Sequence, residues 1–513
     1  MHEITLTGDR LTLAELYAAG QTALDAKARL KITISDDAKK QVKAAEDYLR
    51  RMVESGETIY SINTGFGFFV NTRIEPEQMA QLQTNIIRSH ACGAGEELPR
   101  DVVMMLWLIL INSACRGHRG IALEKLERIC AMLSAGILSC VPSRGSVGAS
   151  GDLAPTAHAV LATLGEGECT VPAGDGFARM NAGEALKKAK IEPIALGPKE
   201  GLCLINGTQL TAALASKIWC EVDKLLTTAN MAAAMSIEGL RASHHMTEDV
   251  LLKEQRQEGT LVCGREIAGW LGDTEISKSH TDCGRVQDPY SFRCAPQVHG
   301  MVWEELTHSK KILENEINST SDNPILFPEQ DMVIHGGNFH AIYPARVADH
   351  LGAALTTLAA ISERRVNITM NHEKSGLPTF LIEKGGLNSG FMMVQVTAAA
   401  LVAECRSLCM PASVDSIPTN NDQEDHVSMG PGAGLKALEI VKHAHYVLAI
   451  ELLVAAQALD MVGLKTSAKL EKVKAEIRKV ATYLAEDRFL NPDIEAVHGL
   501  VRDNLLSPTG GED

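Results

Sequence analysis

Along most of the chain, apolar residues recur every three or four positions, the spacing that lines them up on one face of a helix. Val42, Ala45, Leu49 and Met52 form such a stripe behind an acidic first turn, and Gly56 closes the segment. Pro76 opens a second helix with Met79, Leu82 and Ile86 on one face, running to Ser89-His90-Ala91-Cys92-Gly93. Residues 102–136 predict a buried helix and a partner. After Gly201 about thirty residues pass without proline, up to Gly239, which predicts a helix well beyond the globular average. Pro296 opens another, with Val298, Val302, Leu306, Leu313 and Ile317 in line, and Val347, Leu351, Leu355, Leu358 and Ile361 mark the next. Residues 391–410 and a stretch from Leu435 to about Met461 complete the series. No run alternates as a half-buried strand would, and residues 1–34 show no clear period. The pattern predicts a mainly α protein: an N-terminal domain over residues 1–200 and a bundle of long helices over 201–513. The stretch 165–200, rich in Gly, Pro and short polar runs, is the expected boundary. The helices carry surplus apolar length, which predicts that other subunits complete the bundle.

Composition narrows the function classes. At 513 residues and 45% hydrophobic content the chain can bury a large core. Its net charge of −15, with no basic run, opposes phosphate backbones, so no nucleic acid is expected as a partner. Met1-His2-Glu3-Ile4-Thr5 lacks the character of a signal peptide, and the longest apolar run, Val102 to Ile111, is half a membrane span. A cytoplasmic protein without a membrane partner is expected. Twelve cysteines are scattered without a Cys-x-x-Cys pair, which speaks against zinc and against a disulfide scaffold. Cys405 and Cys409 read as packed thiols. Aromatic content of 4% with abundant alanine favours close-packed helices.

The chemistry concentrates in Gly145-Ser146-Val147-Gly148-Ala149-Ser150-Gly151-Asp152-Leu153-Ala154-Pro155. Its glycines permit a backbone tighter than a helix or strand. A turn at Ala149-Ser150-Gly151 brings the Gly151 amide nitrogen against the Ala149 carbonyl carbon. Attack there, with loss of two waters, one of them from the Ser150 hydroxyl, closes a 4-methylideneimidazol-5-one ring with an exposed methylidene carbon. Ala149 leaves its carbonyl uncrowded, Ser150 supplies the hydroxyl, and Gly151 puts no side chain on the chain beside the attacking nitrogen. Asp152 is a candidate for proton handling during closure.

Other reactive side chains lie in breaks between the helices. Tyr60 stands in Tyr60-Ser61-Ile62-Asn63-Thr64-Gly65-Phe66-Gly67, and Tyr290 in Gln287-Asp288-Pro289-Tyr290-Ser291-Phe292-Arg293. A tyrosine titrates near ~10, so as a base it needs nearby positive charge or hydrogen bonds. Arg293 suits a carboxylate, because its planar fork matches two oxygens. Asn206 reads either as a helix cap or as a group that orients a ligand. Phe339, after Gly336-Gly337-Asn338, is either core or pocket lining. Asn420-Asn421-Asp422-Gln423-Glu424-Asp425-His426 is either a solvated turn or an acid facing an imidazole. Gly430-Pro431-Gly432-Ala433-Gly434-Leu435-Lys436 lacks the ending of a phosphate loop and reads as a helix start. His244-His245 and His443-x-His445 make no three-ligand metal set.

The central string, followed by Thr156-Ala157-His158, resembles the prosthetic-group signature of the aromatic amino acid ammonia-lyases. The resemblance covers roughly residues 50–465 and includes Tyr60-x-x-Asn63-Thr64-Gly65-Phe66-Gly67, Asn206-Gly207-Thr208, Gln287-Asp288-Pro289-Tyr290-Ser291-x-Arg293, Asn318-Ser319-x-x-Asp322-Asn323-Pro324 and Gly337-Asn338-Phe339-His340. It implies an ammonia-lyase/fumarase-like fold with antiparallel long helices, a homotetramer with shared active sites, and a ring made autocatalytically from Ala149, Ser150 and Gly151 with no external cofactor and no metal. By the same likeness Tyr60 and Tyr290 are the base and proton-shuttling tyrosines and Arg293 binds the substrate carboxylate. Asn206 and Gln287 steady substrate and ring, and Phe339 lines the pocket. Ser89-His90 resembles the histidine and tyrosine branches, and Glu424 the histidine branch. A carboxylate and a histidine together satisfy both nitrogens of an imidazole, so L-histidine is the expected substrate. Which tyrosine is the base stays open, and tyrosine or phenylalanine elimination and an aromatic aminomutase remain as alternatives. Arg119 departs from the small residue that the family pattern leads one to expect, which concerns the packing of its loop.

Overall fold

The computed structural model describes residues 2–55, 74–280 and 284–506. It is mainly helical, as the pattern predicts, and forms two compact units. The first comprises Met1–Cys220, Lys310–Asp349 and Pro411–Leu435; the second comprises Glu221–Ser309, His350–Met410 and Lys436–Asp513. Four helices, Gln209–Leu240, Ala295–Ile317, Ile342–Thr369 and Gly430–Val462, contribute turns to both. The expected boundary at 200 thus lies inside the first unit. A long helix offers its apolar stripe along its whole length, so neighbours in space are drawn from segments distant in sequence.

The first unit is built on the helix Arg100–Cys115. Fifteen of its residues, Asp101 to Cys115, are buried, as befits a helix apolar all round. It packs against the helices Leu13–Gln21 and Asp36–Ser55. Its one amide, Asn112, accepts from Gly8 N at 2.9 Å and donates to the Ile317 carbonyl at 2.9 Å. Residues 2–34 gain their order from the tertiary fold: His2–Leu6 pairs in parallel with Leu30–Ile34. In the stretch read as a boundary, Glu168–Ala173 and Gly176–Asn181 form an antiparallel hairpin. The two-residue turn Gly174-Asp175, with Gly174 at φ +61°, was its available signal.

The second unit packs alanine-rich helix faces. Ala229, Ala232, Ala233 and Ala234 are buried, and a Cβ on Gly239 would lie 3.0 Å from the Ala458 Cβ. Small side chains let the helix axes approach, which is why few aromatics are needed. Among the described residues Gly430–Val462 is the one helix long and apolar enough to cross a membrane, and 78% of its apolar window is buried.

Candidate functional site

The glycine-rich loop sits directly before the helix Leu153–Leu161 and is strapped from both sides within the first unit. On one side, Asn206-Gly207-Thr208 runs alongside it. The Gly207 amide donates to the Ser150 carbonyl at 3.4 Å, and the Asp152 amide donates to the Gly207 carbonyl at 2.7 Å. On the other side, Met429 N donates to the Val147 carbonyl at 2.8 Å and Ser428 Oγ to the Gly148 carbonyl at 3.2 Å. Gly151 has φ +82°, and a Cβ there would overlap the Gly207 backbone. Only glycine combines that dihedral with so close a strap.

Asp152 is fully buried. Its Oδ2 accepts from Thr211 N at 2.7 Å and its Oδ1 from Thr211 Oγ1 at 2.8 Å, which ties the loop to the first turn of Gln209–Leu240. Burial raises its carboxyl to about 6, against the lowering effect of the Thr211 and Leu210 hydrogen bonds.

Glu424 comes to this loop from the polar run near the end of the first unit. Ser150 Oγ donates to its Oε1 at 3.1 Å. His90 ends the helix Met79–His90, with its Nδ1 3.0 Å from Ser89 Oγ. Burial holds the imidazole below its ordinary value, and the Ile86 carbonyl and Glu424 only partly oppose this, so His90 is neutral at pH 7. Phe339 is half-buried. Its neighbour His340 stacks on His426 with ring centroids 5.5 Å apart, bringing the Phe339 segment beside that of Glu424.

Asn206 is buried, and it follows the short helix Glu200–Ile205 instead of opening one. It caps the end of that helix, its N–H donating to the Leu202 carbonyl at 2.8 Å, while its Nδ2 donates to the Asn323 carbonyl at 3.2 Å and its Oδ1 has no partner among the described residues. Arg119, the departure from the expected pattern, explains how this segment is held. It is buried, and its guanidinium donates to the Cys203 carbonyl at 2.7 and 3.0 Å, to the Asn206 carbonyl at 2.5 Å and to Ser113 Oγ at 2.9 Å. These are the carbonyls that the end of a short helix leaves without partners. Arg119→Met is expected to lower the thermal unfolding midpoint, since each buried carbonyl left unpaired costs about 1–3 kcal/mol. Arg119→Lys should lose less, and a midpoint unchanged in Arg119→Met would refute the clamp.

In the second unit Pro289 precedes the one-turn helix Tyr290–Arg293. Arg293 Nη1 donates to Gln287 Oε1 at 2.6 Å, and its guanidinium carbon lies 5.5 Å from the Tyr290 ring centroid. Tyr290 is 75% exposed and Gln287 is exposed. The buried Asp288 accepts from Ser243 N at 2.8 Å and from Arg285 at 2.9 Å, fixing the segment from beneath. Sequence reading missed a further support. The buried Arg365 donates to the Ser291 carbonyl at 3.4 Å while paired with the buried Glu451. An arginine within an otherwise apolar helix stripe was the signal. Tyr60 lies outside the described residues.

A mainly helical chain that holds a glycine-rich loop against a carboxylate, and carries a tyrosine–arginine turn besides, has the features of a lyase of the long-helix class. The chain belongs to the aromatic amino acid lyase family, whose profile matches residues 11–479. It is 42% identical over 512 residues to a histidine ammonia-lyase of Anaeromyxobacter sp. (strain K), covering 99% of this chain and 100% of that one. Its fold matches the crystal structure of a histidine ammonia-lyase from Trypanosoma cruzi with a TM-score of 0.90 and 38% identity, over 98% of this chain and 94% of that one. A phenylalanine aminomutase from Pantoea agglomerans has the same fold, with a TM-score of 0.91 and 30% identity over 99% of this chain and all of that one.

Proposed function

We propose that this protein eliminates ammonia from L-histidine to give trans-urocanate, the histidine ammonia-lyase reaction, a non-oxidative carbon–nitrogen cleavage that begins histidine degradation. The observation that carries this reading is the position of Glu424, whose carboxyl the fold brings to the strapped Ala149-Ser150-Gly151 loop, where a substrate ring would lie. The neutral His90 and the Glu424 carboxyl differ in hydrogen-bonding type, as the two unlike nitrogens of a substrate imidazole require. Neither a phenyl nor a phenol ring calls for both.

Ala149, Ser150 and Gly151 suit the methylideneimidazolone group. The Gly151 φ of +82°, the Gly207 strap and the Asn206 Oδ1, which has no partner among the described residues, all fit a loop held in the shape that closure needs. When formed, that group supplies an electrophilic carbon that turns the amine into a better leaving group, and no external cofactor is needed. Arg293 binds the substrate carboxylate through its fork, and its bond to Gln287 keeps the guanidinium oriented. In the proposed assembly with shared sites, Arg293 fixes the carboxylate and His90 and Glu424 grip the imidazole, so that the β-proton is presented to a tyrosine, Tyr290 or Tyr60, acting as base. Arg293 and Tyr290 stand on the same one-turn helix, so the carboxylate grip and one candidate base are held together. Asn206 and Phe339 complete the grip on substrate and ring.

We further propose a cytoplasmic homotetramer with shared active sites. Exposed apolar side chains support the assembly: Leu387, Met393, Met410 and Phe489 in the second unit, and Tyr343 and Val414 in the first. The decisive measurement is ultraviolet absorbance with L-histidine, L-tyrosine and L-phenylalanine supplied separately. A rise with L-histidine alone is expected. A rise only with tyrosine or phenylalanine would reject the substrate, and a β-amino acid product would make the protein an aminomutase.

A further inference from the structure

We propose that Glu424 is the acid that removes the Ser150 hydroxyl when the loop closes, a task it completes before any substrate binds. The inference rests on the reading that Ala149-Ser150-Gly151 becomes the electrophile. Ser150 Oγ lies 3.1 Å from Glu424 Oε1. Closure expels that oxygen, so this contact belongs to the precursor and has no part in a mature site. Glu424 is held for it. Its backbone pairs with Thr419 in both directions, at 3.0 and 3.3 Å, and its Oε2 accepts from Thr419 Oγ1 at 2.7 Å, which leaves Oε1 to Ser150.

Asp152, the neighbour in sequence, is otherwise engaged. Both of its oxygens accept from Thr211, so it anchors the loop to a helix. Among the described residues Glu424 is the acid bonded to the Ser150 hydroxyl.

The closure balances as two dehydrations. In the first, the Gly151 nitrogen bonds to the Ala149 carbonyl carbon and its proton passes to the carbonyl oxygen. That oxygen then leaves as water with the Ser150 amide hydrogen, and a C=N bond forms. In the second, the Ser150 Cα–H electron pair becomes the Cα=Cβ bond as Cβ–Oγ breaks. The Cα proton passes to the Glu424 carboxylate and from its Oε1 to the departing hydroxyl, which leaves as water, so the carboxylate ends as it began.

The test follows intact subunit mass during cell-free synthesis. Wild type is expected to lose two water masses. Glu424→Gln, of equal shape but with no carboxylate to carry the proton, should close about a hundredfold more slowly, the usual worth of a positioned acid–base group. A species short of only one water should build up in it. Glu424→Asp should fall between the two, and Thr419→Val, which loosens Glu424 but keeps the acid, should close faster than Glu424→Gln. Thermal unfolding of the same samples reports whether each variant is folded, and Glu424→Asp and Thr419→Val carry the test if Glu424→Gln is not. Closure of folded Glu424→Gln at the wild-type rate overturns the proposal and leaves the reading of the loop intact. A wild-type chain that keeps its full mass overturns that reading, and the proposal with it.

Discussion

Gly151→Ala is expected to give a folded protein whose subunit keeps the mass of both waters and whose activity on L-histidine falls to background. The argument is geometric. Gly151 sits at φ +82°, where an L-residue is strained by about 1–2 kcal/mol, and its new Cβ would overlap the Gly207 carbonyl. The strap must then move, and with it the Asp152–Gly207 and Gly207–Ser150 hydrogen bonds that press the loop into shape. Closure needs the Gly151 nitrogen at near-attack distance from the Ala149 carbon. A displacement of about 1 Å can cost about a hundredfold in such a reaction. The effects on strap and attack multiply, so closure should fail on the timescale of protein production. Intact mass is the direct readout, and a fully closed Gly151→Ala subunit would show that the strap does not shape the reaction.

The second large effect is expected from Arg365→Met. Arg365 and Glu451 are both fully buried. The Glu451 carboxylate accepts from Arg365 Nη2 at 2.9 Å, from Ser236 Oγ at 2.8 Å and from Ser362 Oγ at 2.6 Å. Removing the arginine leaves a charge in the core of the second unit, a loss of about 3–5 kcal/mol. It also frees the Ser291 carbonyl, and so the turn that carries Tyr290 and Arg293. The denaturation midpoint should fall, and the surviving folded enzyme should show a raised KM for L-histidine because Arg293 is less well held. Arg365→Met combined with Glu451→Gln should recover part of the stability, since no buried charge remains, but not the KM. Equal midpoints for Arg365→Met and wild type would contradict the burial argument.

How far the sequence reached can be judged residue by residue. The stripe Val298, Val302, Leu306, Leu313 and Ile317 marked a helix that runs from Ala295 to Ile317, and Pro296 marked its start within a residue. Helical period is local, so it survives without the rest of the fold. The strand pair His2–Leu6 and Leu30–Ile34 was not legible, because each strand is stabilised by a partner more than twenty residues away. The hairpin at 168–181 was overlooked because its glycine turn resembled linker composition.

For the proposed site, the order Ala149-Ser150-Gly151 and the candidates Tyr60, His90, Asn206, Gln287, Tyr290, Arg293, Phe339 and Glu424 come from motifs in the sequence. The chemical possibilities of the loop follow from residue types alone: a small residue, a hydroxyl and a glycine in that order. What only the tertiary structure decided is which groups act on them. Glu424, 274 positions along the chain, meets the Ser150 hydroxyl, while adjacent Asp152 turns away to Thr211. Arg119 is a clamp on the Asn206 segment, and Arg365 a support beneath Tyr290. Sequence determines composition and local period, because those are properties of neighbours in the chain. Burial and charge pairing are properties of neighbours in space, and these depend on how long helices bring distant segments into contact.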